Sequence, residues 1–271
     1  MRFRPFTFEG IGLHTGQPCS VDIAPRANGF GVVFKTSVGD IPFNYNFVDL
    51  NSLRATNLRY KNVQVKTVEH LAAALAVFGI SGAEITVKGP EIPALDGCAL
   101  KWFDAFGKAG AKPCPLFFYP KDEIEIIWGD SHARLTPVAR EATPHYCVEL
   151  RYESKAIGIQ RFEYRPSHDD FGTEIASART FALESEVDAI LKAGLGRGGS
   201  LDNALIIGVD GPVNSHGQRF FNEPARHKML DLLGDLFLLG SWPWADIEII
   251  RPGHKLTHSL IGEIKRRNQA G

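Results

Sequence analysis

The sequence predicts an α+β protein built in two parts, and three observations predict it. Short strand-like alternations broken by Gly, Pro and Asn precede helical patterns. That succession occurs twice. Between the two passes lies Gly110-Ala-Lys-Pro-Cys-Pro115, the best candidate for a linker. The chain of 271 residues is long enough for two modest domains and a sizeable core. Its apolar share of 44% and charged share of 23% are ordinary for a soluble globular protein.

In the first part, residues 21–23, 31–34 and 62–65 read as strands. Residues 67–79 read as a helix, with Thr67 as N-cap, apolar spacing at Val68, Leu71, Leu75 and Phe78, and Gly79 as the stop. A strand at 84–88 and a second helix at 100–108 follow. In the second part, residues 123–128, 133–137, 147–152 and 159–164 read as strands, and 171–175 and 185–192 as helices. A long helical segment, a strand at 245–250 and a last helix at 255–267 complete the chain. The second part repeats the style of the first without visible sequence repetition, and two packed α+β layers are expected.

The long segment runs from Asn222 to Gly240. Asn222 suits an N-cap, Pro224 the first turn and Gly240 a C-cap. It is apolar almost all round, through Met229, Leu230, Leu232, Leu233, Leu236, Phe237, Leu238 and Leu239, and is expected inside the protein. His227, Asp231 and Asp235 recur along it at i, i+4 and i+8, in one seam. By spacing alone the simpler reading is the wet face of an amphipathic helix. Buried, such a seam needs compensation, and a divalent cation supplies it.

His70 follows Glu69 in the first turn of the helix at 67–79. Alone, this is a surface Glu-His pair. With His227 and Asp231 it completes a two-His, one-carboxylate set, which leaves a fourth zinc position open for water, with Glu69 as base. His254, in Pro252-Gly-His254, sits at a strand–helix junction and is available as a general acid. A rival metal pair is His254 and His258, at i and i+4; it is weaker because no carboxylate accompanies it and His258 falls on a helix rich in Lys and Arg, where a solvated imidazole is expected.

Other motifs carry less. Gly194-Leu-Gly-Arg-Gly-Gly199 matches G-x-G-x-x-G, but a helix precedes it and no acid lies near the required offset, so a nucleotide fingerprint is rejected in favour of a bend that lets a ligand approach the backbone. Thr180 could donate to an oxyanion, although a Thr there more often satisfies a backbone group. Ser200 forms no G-x-S-x-G elbow, and Asp96 reads as a turn residue. His132, His145, His168 and His216 receive no role. A net charge of −1 without a basic run gives no reason to expect nucleic acid or an acidic membrane as partner. Cys19, Cys98, Cys114 and Cys147 form no C-x-x-C pair and are expected as reduced cytosolic thiols. The start lacks a signal-peptide core, and no apolar run reaches spanning length, so a cytoplasmic protein is expected.

Taken together, these stretches resemble one family, the zinc-dependent UDP-3-O-acyl-N-acetylglucosamine deacetylases of lipid A biosynthesis. The matching segments are Gly10-Ile-Gly-Leu-His-Thr-Gly16, Thr67-Val-Glu-His-Leu71, Glu91-Ile-Pro-Ala-Leu-Asp-Gly97, Ala178-Arg-Thr-Phe181, residues 194–203, Arg226-His-Lys-Met-Leu-Asp-Leu-Leu-Gly-Asp235 and Gly253-His-Lys-Leu256. They occur in the family's order along nearly the whole chain.

The resemblance implies two similar α+β domains, each a small sheet with two helices, packed helix layer to helix layer as a β-α-α-β sandwich. Residues 1–112 would carry Glu69 and His70; residues 117–271 would carry His227, Asp231, His254 and an acyl-chain insert. It implies one Zn2+ per chain, or Fe2+ in cells, on His70, His227 and Asp231. Glu69 would be the base and His254 the acid towards the leaving amine. Thr180 would stabilise the oxyanion, Lys228 would contact substrate, and Asp235 would orient His254. Leu183, Gly199, Leu201 and Ala204 would line the acyl passage, Phe181 would meet the nucleotide, and Leu13, His14 and Ser200 would join the substrate site. The partner implied is a small UDP-sugar bearing an acyl chain, bound by a monomer with no nucleic acid and no stable membrane insertion. The sequence departs from the family at Thr257, where Asn is expected, at Gly196 and Leu201, which replace bulkier residues, and in stopping soon after its last helix. Two rivals are a related zinc amidase acting on another N-acylated sugar nucleotide and a catalytically silent nucleotide-sugar-binding homologue.

Overall fold

A computed structural model describes residues 3–27 and 29–269. The chain begins with strands β1 (Phe6–Ile11), β2 (Pro18–Pro25), β3 (Gly31–Thr36) and β4 (Gly39–Pro42), then a small hairpin of β5 (Leu58–Tyr60) and β6 (Val63–Val65). Helix α1 (Glu69–Val77), β7 (Gly82–Lys88) and α2 (Leu100–Lys108) follow. After β8 (Phe117–Phe118) come β9 (Ile124–Trp128), β10 (Ser131–Pro137), β11 (Tyr146–Arg151) and β12 (Ile159–Tyr164). Next are α3 (Phe171–Glu174), β13 (Phe181–Leu183), α4 (Glu184–Lys192) and β14 (Leu205–Ile207). Helix α5 (Glu223–Leu236), β15 (Trp242–Pro243), β16 (Ala245–Ile250) and α6 (His254–Gln269) close the chain.

The fold is α+β, as the sequence predicts, and its two large sheets share one topology. The first has the order β1-β2-β7-β3-β4; the second, read from its opposite edge, runs β9-β10-β16-β11-β12. In each, a strand that arrives late pairs antiparallel with the first hairpin and parallel with the second. Helix α1 precedes and α2 follows that strand in one unit; α5 and α6 stand likewise in the other. Each sheet turns one face inward. Cys19, Val21 and Ile23 of β2 are buried, as are Ala245, Ile247 and Ile249 of β16, at the period of two that a half-covered strand requires.

Helices α1 and α5 pack directly against each other. Every residue of α1 is buried, because its Ala, Leu and Val cover all sides and leave no polar face. At the crossing, Gly234 of α5 lies so near α1 that a Cβ there would stand 2.1 Å from the Glu69 carbonyl oxygen. A glycine inside a helix costs roughly 0.5–1 kcal/mol relative to alanine, and here it allows the close approach.

The start of α1 differs from the sequence reading, whereas α5 starts at its expected cap residue, Asn222, without the side-chain bond. The first cap residue of α1 is Val68, and Thr67 takes a left-handed backbone, φ 58°. Its hydroxyl donates to Glu91 (2.6 Å) instead of to the helix. Asn222 makes no side-chain cap for α5; its amide oxygen accepts from Arg226 Nε (2.8 Å), which competes for the same acceptor. At the far ends, Gly79 adopts a positive φ just beyond α1, and Gly240 does so after the 3-10 turn Phe237–Leu239 into which α5 runs. Strands β1, β4, β5 and the short β8, β13, β14 and β15 lie outside the expected strand segments.

The substitution Gly234→Ala drives a methyl into a backbone carbonyl that has no rotamer to escape through. It is expected to destabilise the protein by about 1–3 kcal/mol. A lowered Tm would be measured by thermal melting.

Candidate metal centre and active site

The α1–α5 crossing brings together side chains far apart in sequence. His70 leaves the first turn of α1, while His227 and Asp231 leave successive turns of α5. Asp231 Oδ1 stands 3.7 Å from His70 Nε2 and 3.4 Å from His227 Nε2. The two imidazole planes meet nearly at right angles, 86°, with centroids 5.0 Å apart. One ligand atom from each residue lies within 4.8 Å of the others, and all three residues are buried.

The protonation pattern follows from the partners. His227 Nδ1 faces the Ala178 carbonyl at 3.0 Å, which can only accept, so Nδ1 carries the proton and Nε2 presents a lone pair to the centre. Burial pushes the His227 imidazole down to about 3, so it stays neutral. Burial favours the protonated form of Asp231, but its neighbours, the Lys228 ammonium among them, outweigh it and hold the carboxyl well below its ordinary range. Lys228 Nζ donates to Asp231 Oδ2 (2.8 Å), whereas Oδ1 is buried with no donor among the described residues. An ionised oxygen without a donor is costly in a protein interior. The neutral His227 imidazole, the His70 imidazole and that oxygen form a three-ligand donor set that fits a divalent cation.

Glu69 and His254 flank the same point. Burial pushes the Glu69 carboxyl up to about 7, against the opposing pull of His254 and His70. Its Oε2 accepts from the Thr56 amide (3.1 Å) and its Oε1 lies 3.8 Å from His254 Nε2. His254 opens α6, and its Nδ1 donates to Asp235 Oδ2 (2.8 Å). Burial lowers the His254 imidazole, yet the Asp235 carboxylate prevails and lifts it to about 9. In return Asp235, which burial alone would raise, is held down to about 2 by His254 and His258.

The rival pair now reads differently. A carboxylate does accompany His254 and His258: Asp235, supplied by α5, lies within 4.8 Å of both. His258 is buried, not solvated, because its face of α6 turns towards α5 while the Lys and Arg residues occupy the outer faces. Its Nε2 meets Thr56 Oγ1 at 3.0 Å. Each carboxylate oxygen of Asp235 already has a donor, so the oxygen without a donor marks the first group as the better cation site.

The remaining residues arrange themselves around this centre. Thr180 is held through its backbone, with its N–H on Gly97 O (2.8 Å) and its carbonyl accepting from Leu205. The buried Arg179–Glu223 ion pair fastens the same turn to the start of α5. The Phe181 ring meets His227 edge to face, centroids 6.3 Å apart, and Lys228 Nζ lies 5.6 Å from that ring's centroid. Leu183 ends the same short strand.

The 194–199 bend docks on the Gly10–Gly16 turn. Gly198 N donates to Leu13 O and Gly196 N donates to His14 Nδ1 (3.3 Å). A Cβ at Gly198 would stand 2.2 Å from Gly12 O, which explains the glycine there. A cavity of about 220 Å³ opens between His14, Leu53, Lys66 and residues 193–195. Leu13 and Ala204 are buried, Gly199 is the last residue of the docked bend, and Ser200 and Leu201 face solvent just beyond it. Sequence reasoning missed Thr56, which lies in no motif, and Glu91, whose carboxylate accepts from His14 N, Thr15 N, Thr15 Oγ1 and Thr67 Oγ1. Only the position of Glu91 inside a matching segment could have flagged it.

Residues 3–266 match the model of the family described as LpxC: UDP-3-O-acyl N-acetylglycosamine deacetylase. Among the similar proteins is the UDP-3-O-acyl-N-acetylglucosamine deacetylase of Aquifex aeolicus, 36% identical over 97% of this chain and 91% of that one. The proteins of the same name from Thermosynechococcus vestitus and Synechocystis are 37% and 35% identical, each over 96% of this chain and over 91% and 96% of their own. With buried acid–base groups beside a cation site and a family match along nearly its whole length, the chain belongs to the LpxC family of UDP-3-O-acyl-N-acetylglucosamine deacetylases.

Proposed function

We propose that this chain hydrolyses the acetamide of UDP-3-O-acyl-N-acetylglucosamine in lipid A biosynthesis, releasing acetate and a free 2-amino sugar. His70, His227 and Asp231 would hold the metal, zinc or alternatively Fe2+. The observation that carries the reading is the buried Asp231 Oδ1, without a donor and facing two imidazole nitrogens, with Glu69 and His254 beside it. No described helix is long and apolar enough to cross a membrane, and we place the enzyme in the cytoplasm as a monomer.

Bound there, the metal would supply Lewis acidity towards water and the acetyl carbonyl. Glu69 Oε1 takes a proton from the attacking water while the Thr56 amide steadies the other oxygen of the carboxylate. Lys228 and the Thr180 hydroxyl meet the negative charge that grows on the acetyl oxygen. His254 Nε2 gives its proton to the amine as the C–N bond breaks, and Asp235 stabilises the imidazolium in the resting state. Leu13, His14 and Phe181 contact the sugar nucleotide; Leu183, Gly199, Ser200, Leu201 and Ala204 border the path of the acyl chain. The deciding experiment is metal analysis combined with acetate release on 3-O-acylated and non-acylated sugar nucleotides. Turnover that ignores the acyl chain would favour a different N-acylated sugar nucleotide.

Three outcomes are expected. Glu69→Ala keeps its metal and loses on the order of a hundredfold or more in kcat, as for a lost general base; near-normal acetate release contradicts the assignment. Asp231→Ala leaves two imidazoles and no carboxylate, so elemental analysis should find less than one metal per chain. In the pH profile of kcat/KM, the acid limb belongs to Glu69, pushed up to about 7 by burial and drawn back by a bound cation. The alkaline limb belongs to His254, held at about 9. Asp235→Asn removes the carboxylate that favours the imidazolium, so that limb should move to lower pH.

A further inference from the structure

Thr56 is buried in the loop before β5, outside every sequence motif, yet each of its polar atoms holds a different part of the site. Its N–H donates to Glu69 Oε2 (3.1 Å). Its carbonyl accepts from Val68 N (3.0 Å), the residue that leads into α1. Its hydroxyl donates to Asp235 Oδ1 and lies 3.1 Å from His254 Nδ1 and 3.0 Å from His258 Nε2.

The proton count fixes the roles. A threonine hydroxyl has one proton and two lone pairs, and an ionised carboxylate only accepts. The contact with Asp235 takes that proton. His254 Nδ1–H is committed to Asp235 Oδ2, and His258 Nε2 must then donate to the Thr56 oxygen. Thr56 therefore saturates the Asp235 oxygen that His254 does not use, and His258 braces the hydroxyl from behind. A β-branched side chain limits χ1, so the hydroxyl is aimed by the backbone that also holds Glu69.

We propose that Thr56 is a positioning residue for the hydrolysis, one that locks the proton acceptor Glu69 and the proton donor pair His254–Asp235 into a single frame, with His258 as its support. The inference rests on the function proposed above. It acts through groups that take part in turnover and not through substrate contact, so kcat carries its effect.

The test uses the full-length, metal-loaded protein. Thr56→Val keeps the shape and removes the hydroxyl; Thr56→Ser keeps the hydroxyl and removes the methyl. Loss of a hydrogen bond to a buried carboxylate should cost roughly ten- to a hundredfold in kcat for Thr56→Val. KM and metal content should stay near the wild-type values, and Thr56→Ser should recover most of the loss. If Thr56→Val does not fold, Thr56→Ala is read in its place. Wild-type kcat without the hydroxyl, a serine variant as impaired as valine, or a loss that appears in KM or metal content overturns the proposal. Wild-type protein that releases no acetate refutes the functional reading instead.

Discussion

A backbone-to-backbone approach of two buried helices is the constraint on which the centre depends. Gly234 lets α5 rest against the Glu69 carbonyl, and from that contact the positions of Glu69, His70, His227 and Asp231 follow. No side chain mediates the contact, so no rotamer change can take up an error. Interiors packed at crystal-like density transmit such errors directly. The helices also come from units of the same strand order, one contributing Glu69 and His70, the other His227, Asp231 and His254. Neither unit contains the full set.

Charge is the second constraint. Glu69, Asp231 and Asp235 share one small buried volume with Lys228 and several imidazoles. The carboxylates are kept apart in behaviour by what touches them. Lys228 holds Asp231 ionised, the imidazoles of His254 and His258 do the same for Asp235, and burial dominates at Glu69. Groups pushed in opposite directions within one cleft mark an acid–base site, because each then holds the proton state its task needs.

Much of this was legible in the sequence, for identifiable reasons. Helix α5 declared itself through caps and an uninterrupted apolar surface, and the strand segments 159–164 and 245–250 through alternation, because local pattern sets both. The seam of His227, Asp231 and Asp235 was visible as spacing; its burial was not, since spacing does not say what packs on the other side. Thr67 was misread as a helix cap because the competitor for its hydroxyl, Glu91, is twenty-four positions away and reaches it only through folding. His258 was misjudged for a related reason: the charged residues near it in sequence lie on other faces of α6. The shared topology of the two sheets left no trace, because strand pairing over such separations is written in tertiary contacts and not in residue identity.

The left-handed backbone at Thr67 has one more consequence. A β-branched residue in that conformation stores roughly 1–3 kcal/mol, and glycine would release it. Glycine, however, brings no hydroxyl to Glu91, the carboxylate that also gathers the amides of His14 and Thr15. The entrance to helix α1 is thus kept under tension so that two remote turns share an anchor. Engineering for heat resistance alone would relax that joint, and the turn carrying His14 and Thr15 would drift away from the start of helix α1.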